Sequence, residues 1–314
     1  RALPIARDTA AGAPHLAEIA AARGRAMELQ SRFHEAEAAY AEIEQLSLER
    51  GDRALELEMV LARGKLRANV TPLHDPAAGR ALMERAMVLA EQTGNRVAEA
   101  RILWNLVNIG RFQNQFDDAI AHGERGVALA RELGLEEELA YLLNDLGDTY
   151  GPSGQVDRAI AMLDEAQSHW RALGNLPMLA DSLTSGAVYR SITGDFRQGL
   201  ELVEESFALT SRINNIWGEA YSQNIRGLIL CQMGDLDRGL SDLATGIEKC
   251  RIAGFIGGEL LASAFLARVL LELGDMEGAI VRARSGLDAG RELVPHFAGM
   301  CIGCIVSAEV RRGN

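Results

Sequence analysis

Apolar residues recur three and four positions apart along the chain, which places them on one face of a helix. One block reads Leu143, Leu146, Gly147 and Tyr150. Its counterparts are Leu103, Leu106 and Val107, and Leu183, Gly186 and Ala187. A second kind of block follows each of these: Leu163 and Ala166, then Val203 and Ser206, then Leu243 and Gly246. The pattern predicts helices of two alternating kinds, A and B.

The breaks between blocks keep strict time. Gly154-Gln155-Val156-Asp157-Arg158-Ala159-Ile160 is echoed from Gly194, Gly234 and Gly274, forty residues apart each time. Asn114-Gln115-Phe116-Asp117-Asp118-Ala119-Ile120 fits the same phase, as do His74-Asp75-Pro76 and the stretch from His34 to Tyr40 more loosely. Gly or Asn adopts the left-handed conformation that ends a helix. The next residue, often Asp, accepts backbone N–H bonds at the start of the following helix. Asp75-Pro76 carries that signature, a cap followed by proline at the first helical position. A small residue five positions after the mark, such as Ala159 or Gly239, lets a neighbouring helix approach closely. A second mark closes each unit: Gly94-Asn95, Gly134-Leu135, Gly174-Asn175, Asn214-Asn215 and Gly254-Phe255. Each forty-residue unit is therefore expected to be two antiparallel helices.

Leu143-x2-Leu146-Gly147-x2-Tyr150, with Ala159, Leu163 and Ala166, resembles the tetratricopeptide repeat, in a variant longer than the usual 34 residues. The resemblance implies an all-α fold, an α–α superhelix or solenoid of about seven helix pairs with half-repeats at both ends, in one domain spanning 1–314. By phase, residues 1–13 take the place of a helix B tail and residues 300–314 that of an eighth helix A. The apolar run Met300–Val306 is unlike the polar cap of a terminal repeat. It suggests a fragment of a longer chain, and a C-terminal end able to form a dimer.

The composition narrows the function. Acidic residues number 44 against 32 basic ones, a net charge of −12, which argues against nucleic acid and anionic membrane surfaces as partners. Four cysteines form no disulfide framework, so a reducing cytoplasmic setting is expected. Phosphate loop, His-Glu-x-x-His and nucleophile-elbow motifs do not occur, so neither an enzyme nor a cofactor is expected. Cys301-x2-Cys304 shares a helical face, but with only His296 nearby it reads as packing rather than a metal site.

In the family that these repeats resemble, helix A lines a concave groove and ligands meet its second, fifth, ninth and twelfth residues. With Gly147 as the eighth, one repeat presents Arg101, Trp104, Asn108 and Arg111, and the next Tyr141, Asn144 and Asp148. The following two present Asp181, Thr184, Val188 and Ser191, then Tyr221, Asn224, Leu228 and Cys231. Asn amides both donate to and accept from a peptide backbone, and Trp104, Tyr141 and Tyr221 offer stacking area. Arg101, Arg111, Arg190 and Arg268 are expected to pair with Asp148 or Asp181 on adjacent repeats, with an inward basic strip for an acidic ligand as the alternative. The expected function is a scaffold or regulatory domain that recognises a protein or peptide segment. The composition and long repeat also resemble the arrays of large bacterial signalling ATPases and transcriptional regulators, which implies effector sensing as the alternative.

Overall fold

The Gly and Asn breaks read from the sequence are left-handed turns, whereas His74 is not and His34 lies inside a helix, Phe33–Arg50. Gly94, Gly134, Gly154, Gly174, Gly194, Gly234, Gly254 and Gly274 have φ between 64° and 92°, and Asn114 and Asn214 stand at 60° and 54°. The caps follow the same logic. Asp75 Oδ1 accepts from the Ala78 N–H at 3.0 Å, ahead of Pro76 at the first turn. Asn95, Asn175 and Asn215 do the same for Ala98, Met178 and Gly218.

The computed structural model describes residues 16–30, 32–69, 71–290 and 295–313. Among these it is all-α, with fifteen helices and no strand. Two compact units divide the chain, Arg1–Glu138 and Leu139–Asn314. The first holds α1 (Leu16–Leu29), α2 (Phe33–Arg50), α3 (Arg53–Ala68), α4 (Pro76–Thr93), α5 (Arg96–Phe112) and α6 (Phe116–Leu133). Helix α7 (Glu136–Tyr150) starts at the division, and the forty-residue phase runs through it unmarked. The second unit continues with α8 (Val156–Leu173), α9 (Leu176–Thr193), α10 (Phe196–Arg212) and α11 (Ile216–Gln232). It ends with α12 (Leu236–Ala253), α13 (Ile256–Glu272), α14 (Met276–Gly290) and α15 (Pro295–Arg312). Odd-numbered helices are A and even-numbered ones B, giving a solenoid of seven successive pairs and a single final helix. The half-repeat expected over 1–13 lies outside the described residues.

The two helix kinds are buried differently. Helix α10 buries Gly199, Val203, Ser206 and Thr210, a single stripe at spacings of four, three and four. Helix α9 is buried nearly all round, at Leu179, Leu183, Gly186, Tyr189 and Arg190 among others. Helix A has neighbours on both sides and its own helix B behind it, so only a narrow strip stays open. The apolar blocks read from the sequence form the core: Leu103, Leu143, Leu163, Leu183, Val203 and Leu243 are all 0% exposed. Small residues bring paired helices together. A Cβ added at Gly227 of α11 would stand 2.8 Å from the Gly239 carbonyl oxygen of α12, so any larger residue forces two backbones apart.

Helix α15 packs on α13 through Cys301 and Ala308, while Ile302, Val306 and Val310 lie exposed at spacings of four. Their counterparts forty residues earlier include Ala262 and Leu266, both buried. Among the described residues no helix is long and apolar enough to cross a membrane.

Candidate functional site

In the second unit, the helix-A face carries a polar strip. Asn144 of α7 donates from Nδ2 to Asp181 Oδ2 of α9 at 3.2 Å. Asp148 of α7 accepts from Ser185 Oγ and from the Tyr189 hydroxyl, both of α9, at 3.3 Å. Ser185 Oγ in turn lies 3.5 Å from the Tyr221 hydroxyl of α11. Four of the residues picked out by phase, Asn144, Asp148, Asp181 and Tyr221, thus stand together across three successive A helices.

The others are placed differently. Asn224 is 2% exposed, donates from Nδ2 to Cys250 Sγ at 3.4 Å, and packs its amide oxygen beside Gly246 of α12. It belongs to the seam of its own helix pair. Asn144 is also buried, and the side-chain oxygens of both Asn residues have no hydrogen-bond partner. Tyr141 is half-buried, edge-on to the buried Trp170 of α8 at 4.8 Å. Thr184 is buried and shares a hydrogen bond with Ser206 of α10. Arg190, grouped by sequence with the inward arginines, is buried and bonds both carboxylate oxygens of Asp164 on α8 at 2.8 Å.

Beside the strip, a cleft of ≈ 280 Å³ opens between the first turns of α9 and α11. Pro177, Met178, Asp181, Thr184, Trp217 and Tyr221 line it. Trp217, 41% exposed, stacks on Phe255 at 3.9 Å with 27° between the planes. Tyr221 meets both rings steeply, at 6.2 and 6.4 Å. Trp217, Phe255, Met178 and Pro177 were not singled out by phase because they precede the ligand positions of the repeat. A signal existed: in a chain with only three Trp, one stands two residues after the Asn215 cap.

In the first unit, Arg101 bonds Glu138 through Nε at 3.0 Å and Nη2 at 2.9 Å. Arg111 donates from Nη2 to Asn108 Oδ1 at 2.9 Å and lies over the Phe112 ring. Asn108 is buried, and Trp104 and Arg111 are half-buried. Elsewhere in this unit an ionic cluster ties α2, α3 and α4 together. Arg63 reaches Glu37 and Glu44, Arg67 reaches Glu37, and Arg85 bridges Glu44 and Glu56. Burial pushes the Glu56 carboxyl upward, but bonds from Arg85 and Arg53 outweigh it and hold the group below the usual carboxylate range.

The Cys301 and Cys304 thiols donate to the Leu260 and Ala264 carbonyls of α13 at 3.7 and 3.8 Å. Burial pushes the Cys301 thiol up to about 11, and Cys304 shifts the same way. These are protonated packing groups at neutral pH.

No family model and no curated protein matches the chain by sequence. Solved structures do match in fold. The apo form of RapI is 12% identical, with a TM-score of 0.71 over 94% of this chain and 99% of that one. A Rap protein complexed with competence and sporulation factor gives 0.64 at 12% identity, over 92% and 84%. NprR in complex with its cognate peptide NprX gives 0.64 at 12%, over 94% and 83%.

Proposed function

We propose that this chain, whose fold is that of tetratricopeptide-like repeat proteins, is a regulatory binding scaffold that takes a protein or peptide segment along the helix-A face of its second unit. The observation that carries the reading is the polar strip with its adjoining cleft. Asp148, Asp181 and Tyr221 supply acceptors and a donor at intervals along successive helices, and Trp217 and Tyr221 supply aromatic area next to them. An extended segment needs such a mixture: hydrogen bonds for its backbone and a place for at least one side chain. Two proteins of similar fold are seen with competence and sporulation factor and with the peptide NprX, which supports a peptide as the partner. Tyr141 is carried as a further contact position, and Arg101, Trp104 and Arg111 as contact positions of the first unit taken by itself; Asn108, Asn144 and Asn224 are buried. The experiment is affinity selection from a randomised short-peptide library. Wild-type protein should retain peptides, and a Tyr221→Ala, Asp148→Ala double variant should lose them while keeping its helical circular dichroism. Equal retention by the variant would overturn the placement.

A further inference from the structure

We infer that the cleft between α9 and α11 takes one cationic side chain, arginine or lysine, from the bound segment; this rests on the peptide-binding reading above. The volume of ≈ 280 Å³ suits a single side chain rather than a stretch of chain. The lining is divided in kind. Pro177 and Met178 are apolar, Trp217 and Tyr221 are aromatic, and of the described lining residues Asp181 alone is charged. An apolar stem ending in a cation matches that division. Arg and Lys lay their methylenes along apolar surface while keeping the charged head at a polar site.

Four electrostatic effects favour the cation and one opposes it. Ring faces of Trp and Tyr attract cations, Trp most strongly. Asp181 is the acidic side chain of the lining, and a carboxylate there attracts a cation even while it accepts a bond from Asn144. Against these stand the positive ends of α9 and α11, each equivalent to roughly half a charge. Those ends are capped, since the Asn175 and Asn215 side chains accept from the Met178 and Gly218 N–H groups. The net charge of −12 further favours approach of a basic segment. Asp148 adds a second carboxylate on the same strip, bonded to Ser185 and Tyr189.

The test uses randomised short peptides capped at both ends, so that only side chains carry charge. Bound peptides are sequenced after selection on the full chain. Enrichment of Arg or Lys at one position is expected. For the best peptide, replacing that residue by Gln should weaken binding about tenfold at low salt. Asp181→Asn should weaken it comparably and abolish the Arg/Gln difference. Trp217→Ala alters an exposed ring, so it serves as the second variant and should also weaken binding. Selected peptides with no basic position, anchored instead by acidic or wholly apolar residues, would overturn the cationic cleft and leave peptide binding standing. So would affinity unmoved by both variants. If no peptide is retained at all, both readings fall.

Discussion

Two polar networks in this molecule each join three helices, and they are built from different materials. In the first unit, Glu37, Glu44 and Glu56 meet Arg63, Arg67 and Arg85 across α2, α3 and α4. Glu44 and Glu56 are almost wholly buried, and each is shared between two arginines. In the second unit, α7, α9 and α11 are joined by hydroxyls, an amide and two carboxylates beside an open cleft. A buried charge is costly unless its partners stay in place, so the first network fixes its helices. Hydroxyls rotate and exchange partners at little cost, so the second can accept a ligand. One repeating backbone thus serves two ends, and side-chain chemistry decides which.

The largest way to break that contrast is Glu44→Ala. It leaves Arg63 and Arg85 without a shared partner and should cost about 2–3 kcal/mol, discounted because both arginines are partly exposed. Urea unfolding of the variant reads this directly. If the loss were no greater than that of Ser185→Ala in the second network, the two would not differ in kind.

Acid tests the same point. Glu56 has a depressed folded pKa, so its stabilising contribution is complete above the unfolded carboxylate value and is lost as pH falls through the folded one. Hydrogen exchange should show α3 and α4 losing protection only as pH falls below the ordinary glutamate value of about 4.3. Unchanged protection there would contradict the account.

Ser185→Ala removes the long hydrogen bond to the Asp148 carboxylate and should cost about 1.5 kcal/mol, with a larger effect on peptide retention than on unfolding. The smallest stability effect is expected at Ile302→Glu with Val306→Glu on α15, within about 0.5 kcal/mol because both residues are exposed. If that face pairs two copies, light scattering should show a dimer in the wild type and a monomer in the variant.

The fold was legible because its punctuation has a strict backbone requirement. Only Gly and Asn readily occupy the left-handed turns, so their forty-residue spacing marks helix ends directly. The apolar blocks were equally plain, since Leu103, Leu143 and Leu183 recur at one position of the repeat and are all fully buried. The candidate site was legible only in part. Phase put Asn144, Asp148, Asp181 and Tyr221 on one face. It did not reveal that the fifth position closes over at Asn144, Thr184 and Asn224, because that depends on how tightly neighbouring A helices approach. Nor did it reveal Trp217 and Phe255, whose meeting joins residues from two different repeats.

The most direct test places a photo-crosslinking benzoylphenylalanine at Trp217, and separately at the exposed Val281 of α14, and irradiates each protein with the randomised peptide library. Binding along the helix-A face of the second unit predicts peptide adducts at position 217 and few at 281. Equal labelling at the two positions, or adducts at 281 alone, would contradict it.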